Sequence, residues 1–241
     1  MSEKQSMTPD PIPRRKLADA VFDRLEQMIT SGEMRPGDEM PSERVLMERF
    51  GVGRPAIREA MQALAGKGLV AISHGERARV LQVTAQSIFR QVDLTAKIML
   101  SQSDDGLENL KSARIFFERG MAREAAAKTT AQDLDDLAAI IAHQRAMIGR
   151  PEDFIAADMA FHARIARISG NPIFSAVSEA MLAWLRAYHM HLLIWAGNES
   201  VTLDEHEGIL ACLAARDADR AEAAMRDHLE RARALYSKEK S

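Results

Sequence analysis

The sequence predicts a mainly α-helical protein, with an N-terminal winged helix-turn-helix followed by an all-α helical bundle. Three observations predict it. Two short amphipathic segments, 42–50 and the one starting at Arg54, are joined by a glycine-bearing break at Gly51–Gly53, which is the helix-turn-helix pattern. The stretch that follows, LVAISHGERARVLQV (69–83), changes period and is rich in β-forming residues around His74-Gly75. Beyond Val83, glycine and proline are sparse and punctuate the chain at Gly106, Gly149-Arg150-Pro151, Gly170-Asn171-Pro172 and Gly197-Asn198. Six or seven helices are expected there.

Each N-terminal element has a local cause. Leu17, Val21, Leu25 and Met28 recur at helical spacing, so residues 16–31 read as an amphipathic helix ending at Gly32. RPGDEMP (35–41) is a turn. Ser42 offers its hydroxyl as N-cap to a second helix, and Glu43 suits the positive end of its dipole. That helix runs to about Phe50, with Leu46, Met47 and Phe50 inward. A third helix starts near Arg54, where Pro55 fits the first turn because no backbone N–H is needed there. Residues 69–83 read as a two-stranded wing with Gly75 at its tip. The expected division is an arm over 1–14, a winged helix-turn-helix over 15–83 and a helical domain over 84–237.

Composition narrows the class. The chain has 241 residues, 46% hydrophobic and 28% charged, an ordinary globular balance. Cys212 is the single cysteine, so no internal disulfide forms and a reducing cytoplasm is expected. The opening MSEKQSMTPDPIP lacks an apolar core and does not read as a signal peptide. The most apolar long stretch, 181–197, is interrupted by Arg186, Tyr188, His189 and His191, too short and polar for a membrane span. The charge is uneven. Residues 44–79 hold seven Lys or Arg against three Asp or Glu, while the whole chain carries −3. A basic patch on an acidic protein points to a nucleic-acid face.

The third helix carries that face. Arg54, Arg58 and Gln62 form an outward row at four-residue spacing, with Ile57, Met61 and Leu64 behind them. Such a row can reach base edges in a major groove, and Arg54 or Arg58 can hold guanine O6 and N7 in bidentate fashion. Arg44 and Arg77 are better placed for phosphates. An isolated arginine pair would more simply be a solvated helix face; here the helix-turn-helix spacing, the local charge and the wing agree on double-stranded DNA. GDEMPSERVLMERFGVGRPAIREAMQALAGKGLV resembles the winged helix-turn-helix of the GntR family of bacterial transcription regulators. The resemblance implies that Arg44, Arg54 and Arg58 contact DNA and that His74 and Gly75 are wing-tip contacts. The usual wing has a second glycine and then an aromatic residue, where this chain has Arg77 and Arg79. HGERARV is similar to the wing of the sialic-acid-responsive, NanR-type subset, and the extra arginines are expected to deepen wing contact with the minor groove or backbone.

The helical half has its own anomaly. Phe154, Asp158, Phe161, Ile165 and Ile168 form one inward stripe, interrupted by Asp158 and flanked by His162 one turn on. His206 shares a face with Ile209, Leu210 and Leu213, and His228 shares one with Ala221, Met225, Ala232 and Leu235. A carboxylate and three imidazoles thus point inward from three helices. Burying an aspartate unpaired costs several kcal/mol, roughly, and more if it is charged. One divalent cation bound by Asp158, His162, His206 and His228 compensates. Taken singly, each histidine reads as a core residue bonded to a backbone carbonyl, with Asp158 paired to one of them; three on inward faces joined by one aspartate favour metal. His143 lies beside its helix's apolar stripe and does not join. His189 aligns with Leu185 and Leu192 and is placed either to line a cavity or to pack, and His191 sits near Trp184, Tyr188 and Trp195 as in plain packing.

SARIFFERGMAREAA, DMAFHARIARISGNPIF and EHEGILACLAARDADRAEAAMRDHL resemble the FCD ligand-binding domain, the C-terminal half of FadR-type GntR regulators. The resemblance implies a metal held by the Asp-x3-His pair and two spaced histidines, with an acidic effector completing its shell. Arg114 matches an arginine that borders the effector cavity, and RIFFE and GNPIF are again similar to the NanR type. Nitrogen and oxygen ligands with an open position suit Zn²⁺, with Ni²⁺ and Mn²⁺ as alternatives. The expectation is therefore a metabolite-responsive repressor and not an enzyme: a homodimer on a DNA operator, answering a small carboxylate, with sialic acid favoured. The competing class is an all-α metal-dependent hydrolase fused to a DNA anchor. It lacks a His-Asp dipeptide, having only the reversed Asp227-His228. It also lacks a zinc-protease helix, because Leu210 stands four residues after His206.

Overall fold

A computed structural model describes residues 17–73, 75–103, 105–189 and 198–237. The chain forms two compact units, Met1–Thr84 and Ala85–Ser241. The expected arm over 1–14 and the wing-tip residue His74 lie outside the described residues.

The first unit contains α1 (Leu17–Thr30), α2 (Glu43–Phe50), α3 (Arg54–Gly66), β1 (Val70–Ala71) and β2 (Arg79–Val80). Val21, Leu25 and Met28 of α1 are buried as the spacing predicts, but Leu17 is exposed and Ala18 takes its place against the core. Ser42 caps α2 by accepting the Val45 N–H at 3.4 Å, and Gly51 ends it in the left-handed region at φ +66°. Both roles follow from the sequence. Ile57, Ala60, Met61 and Leu64 of α3 pack on α1 and the wing, where Val70 and Val80 close the same core.

The wing is shorter than its β-rich sequence suggests. Only two residues pair on each strand, Val70 with Val80 and Ala71 with Arg79. What steadies so short a ribbon is a second partner for β2. The segment before α2 runs along its other edge, with Val80 donating to Asp38 at 2.9 Å and Met40 donating to Ala78 at 2.7 Å. The backbone groups a two-residue ladder leaves open are thereby met.

The second unit is helical throughout its described residues: α4 (Ala85–Ser101), α5 (Gly106–Lys128), α6 (Ala131–Ala146), α7 (Pro151–Ile168), α8 (Pro172–His189), α9 (Glu199–Ala214) and α10 (Ala218–Ser237). Thr130 and Asp133 form a reciprocal capping box at the start of α6. Gly149 at φ +79° lets the chain turn into α7, whose first turn carries Pro151. α5 is the spine, packing on α10, α7, α8 and α9. Its centre is filled by small Ala122, Ala125 and Ala126, so the facing helices with Phe161, Leu203, Ile209, Leu213 and Met225 come close to it. Among the described residues no helix is long and apolar enough to cross a membrane.

Candidate metal centre and nucleic-acid interface

Three helices deliver the polar cluster. Asp158 and His162 lie one turn apart on α7, His206 comes from α9 and His228 from α10. One ligand atom from each of the four falls within 4.8 Å of all the others. The three imidazoles are buried and Asp158 is half-buried. Their Nε2 atoms converge: His206 Nε2 is 3.4 Å from Asp158 Oδ1, His162 Nε2 is 3.7 Å from Asp158 Oδ2, and His228 Nε2 is 3.4 Å from His162 Nε2. Phe161 stacks on His206 at 4.0 Å between ring centres and walls the cluster on one side.

The far side of each ring is held. His228 Nδ1 donates to Glu205 Oε2 at 2.7 Å, and His206 Nδ1 donates to Gln144 Oε1 at 2.9 Å. His162 Nδ1 abuts Glu118 Oε2, in a contact outside regular hydrogen-bond geometry. Arg231 grips Glu205 with two bonds of 2.5 Å, and Arg114 Nε donates to Glu118 at 2.5 Å. None of Glu118, Gln144 and Glu205 was singled out from the sequence.

The electrostatics favour neutral rings at His206 and His228. Burial, reinforced by the charges of His228, His162, Arg114 and Arg231, holds His206 well below its ordinary value. Burial also lowers His228, against the opposing pull of Glu205. Burial alone would raise Glu118, but the Arg114 charge and the adjoining His162 ring prevail and hold it at about 2. Neutral imidazoles are the metal-binding form. His206 Nε2 is buried without a hydrogen bond of regular geometry, and a buried polar atom so placed needs a partner. Three nitrogen donors and one carboxylate around that atom fit a divalent cation.

A small cavity of about 30 Å³ opens beside the cluster, lined by Arg114, Ile155, Asp158, Met159, Leu185 and His228 among others. Arg114 therefore borders this space together with Asp158 and His228. The His189 side chain lies outside the described residues, and His143 is exposed.

In the first unit, Arg44, Arg54, Arg58 and Arg77 all reach solvent, and so does Gln62. Each arginine has an acidic neighbour. Arg58 Nε bonds Glu43 at 2.8 Å with Arg54 Nε 3.5 Å from the same carboxylate, Arg44 pairs with Glu48 at 2.7 Å, and Arg77 lies 3.7 Å from Glu39. Such exposed pairs are weak and yield readily to a phosphate. Between α3 and the wing lies a groove of about 640 Å³ lined by Glu43, Arg58, Gln62, Ile72, Glu76 and Arg77 among others. Gly75 sits in the wing turn at φ +78°. Arg79 bonds Glu39 at 2.6 Å and the Gly37 carbonyl at 3.3 Å, tying the wing to the segment before α2.

Comparison with known proteins places both units. Residues 17–80 match the family described as bacterial regulatory proteins, gntR family, and residues 109–231 match the FCD domain. The chain is 39% identical over 239 residues to the HTH-type transcriptional repressor NanR of Cronobacter sakazakii, covering 96% of this chain and 91% of that one. It is 38% identical over 228 residues to NanR of Escherichia coli K12, covering 94% and 86%. Among solved structures it resembles a Streptococcus agalactiae GntR protein with a TM-score of 0.64 at 23% identity, covering 88% of this chain and 97% of that one. Escherichia coli McbR/YncC follows at 0.53 and 17%, covering 95% and 100%. The hydrolase alternative finds no support among these matches, which are regulators and not enzymes.

Proposed function

The chain belongs to the GntR family of bacterial regulatory proteins and carries an FCD domain, and from that premise we propose that it is a metal-dependent repressor released from DNA by a small carboxylic acid. That it is a DNA-binding transcription regulator follows from the family itself. The observation carrying the finer reading is the convergence of Asp158, His162, His206 and His228 within 4.8 Å. These residues would hold Zn²⁺, with Ni²⁺ and Mn²⁺ as alternatives. When bound, the metal supplies a fixed positive charge and an open coordination position for a carboxylate.

The surrounding charges support an anionic ligand. Asp158, Glu118 and Glu205 stand against Arg114 and Arg231, leaving one negative charge while the imidazoles are neutral. A divalent cation turns that into one positive charge, which a monocarboxylate neutralises. Arg114, at the cavity wall, is placed as the ligand's second clamp. A space of about 30 Å³ holds about one water. A sugar acid must therefore widen it, and binding selects a different packing of the helices. Sialic acid is the favoured ligand because the wing, RIFFE and GNPIF resemble the NanR type and the NanR relatives align along nearly the whole chain.

On DNA, Arg54 and Arg58 read bases, Arg44 and Arg77 hold phosphates, and Gly75 with His74 forms the wing tip. Two copies are proposed, because half-sites about 10 base pairs apart, or a multiple, call for paired readers. Exposed Ile88, Val92, Leu94 and Met99 on α4 and Phe116 on α5 support a partner surface. The metal reading is tested by elemental analysis of the purified protein and of its His206→Ala/His228→Ala variant. Stoichiometric metal in the first and little in the second is expected; equal, negligible metal in both ends the idea.

A further inference from the structure

We infer that Glu118, Gln144 and Glu205 form a positioning ring behind the presumed metal ligands, in which each residue meets the Nδ1 atom of one histidine and so turns the Nε2 lone pair inward. The inference rests on the metal reading above and goes beyond it by assigning work to residues that touch no metal.

Gln144 decides its own case. It is wholly buried, on α6, an element that supplies none of the four ligands. Its Oε1 lies 2.9 Å from His206 Nδ1 and its Nε2 lies 3.4 Å from Asp158 Oδ1. An amide nitrogen can only donate and a carboxylate can only accept. The orientation is therefore fixed: Asp158 takes the amide proton, Oε1 takes the Nδ1–H of His206, and His206 Nε2 keeps its lone pair. One amide thus aligns two of the four donors from opposite sides of the cage.

The other two histidines use carboxylates that are themselves clamped. Glu205 accepts the Nδ1–H of His228 at 2.7 Å and is gripped by Arg231 at 2.5 Å twice. Glu118 meets His162 Nδ1 and accepts from Arg114 at 2.5 Å. Each guanidinium stops its carboxylate from swinging to solvent or collapsing onto the cage. The ring draws on α5, α6 and α9, while the four presumed ligands come from α7, α9 and α10. Partners behind metal-bound histidines fix tautomer and ring direction, and losing one lowers affinity about 10- to 100-fold.

The test titrates Zn²⁺ against a chromophoric chelator and records the visible spectrum of the Co²⁺-loaded protein, for the full chain and for Gln144→Leu, Gln144→Glu and Glu205→Ala. Circular dichroism and metal-free melting identify variants that keep the fold. Gln144→Leu and Glu205→Ala should weaken Zn²⁺ binding about 10- to 100-fold and alter the Co²⁺ bands. Gln144→Glu, which keeps an acceptor for Nδ1–H but loses the donor to Asp158, should recover part of the loss. Wild-type affinity and spectrum in both Gln144→Leu and Glu205→Ala would overturn the ring while leaving the cage intact. Wild-type affinity and spectrum in Gln144→Leu alone would reduce Gln144 to a space-filler. If the unsubstituted chain binds neither ion, the cage falls and the ring falls with it.

Discussion

The buried groups around the cage set how this protein answers to acid. Glu118 is held at about 2 in the folded chain against an ordinary value of 4.5, because the Arg114 charge and the adjoining His162 outweigh its burial. A depressed carboxyl stabilises the fold above its unfolded value and loses that contribution as pH falls from there towards the folded one. His206 and His228 are lowered chiefly by burial from an ordinary 6.5. The unfolded chain therefore takes up their protons first as pH drops, and this too favours unfolding. The metal-free protein should lose melting temperature from about pH 6.5 downward, steepening below about 4.5. A melting temperature constant between pH 7.5 and 4.5 would contradict this. At the DNA face, Arg58→Ala should weaken binding to a duplex selected by the wild-type protein and blur one base position. The expected loss of discrimination is about 1–3 kcal/mol, and unchanged affinity and preference would remove Arg58 from the reading surface. Residues of the buried cluster such as His206 are legible because a polar residue in an apolar stripe is conspicuous. Gln144 is not, since nothing in its neighbourhood on α6 tells a buried amide from a solvated one. Glu118 left a fainter trace: Arg114 and Glu118, four apart, fall on the same face of α5 as buried Leu110 and Met121. That pattern reads equally as a surface ion pair.

Secondary structure was read most securely where single residues impose a backbone state. Ser42, Gly51 and Pro55 fixed the ends of α2 and the start of α3, and the structure uses each as its chemistry dictates. Gly51 carries the sharpest consequence. Its φ of +66° is left-handed, a conformation that costs an ordinary L-residue about 1–2 kcal/mol. Gly51→Ala should destabilise the N-terminal unit by that amount while leaving metal uptake by the helical unit unchanged. A melting profile identical to wild type would show that the turn tolerates a side chain. The wing was read less well. The β-forming residues of 69–83 point to a two-stranded wing, and only two residues pair on each strand. The added stability comes from the 37–40 segment lying along β2, a contact between parts of the chain that no local pattern encodes. The Arg79–Glu39 pair is non-local in the same way, its members 40 residues apart in the chain.

Across the molecule, the two units were legible as separate patterns, a period change at 69–83 and unbroken helix beyond. The proposed response to an effector is a shift of populations, and two measurements address it. In a thermal-shift panel of sugar acids and dicarboxylates, sialic acid should raise the melting temperature of the Zn²⁺-loaded protein. Stabilisation by a different acid alone would retire the NanR-type assignment and leave the regulator standing. The stricter experiment follows DNA occupancy by fluorescence anisotropy as sialic acid is added to the Zn²⁺-loaded protein and to His206→Ala/His228→Ala. The wild-type chain should leave its duplex as the acid rises, while the variant should stay bound throughout. Release from both along the same curve would contradict a metal-anchored sensor.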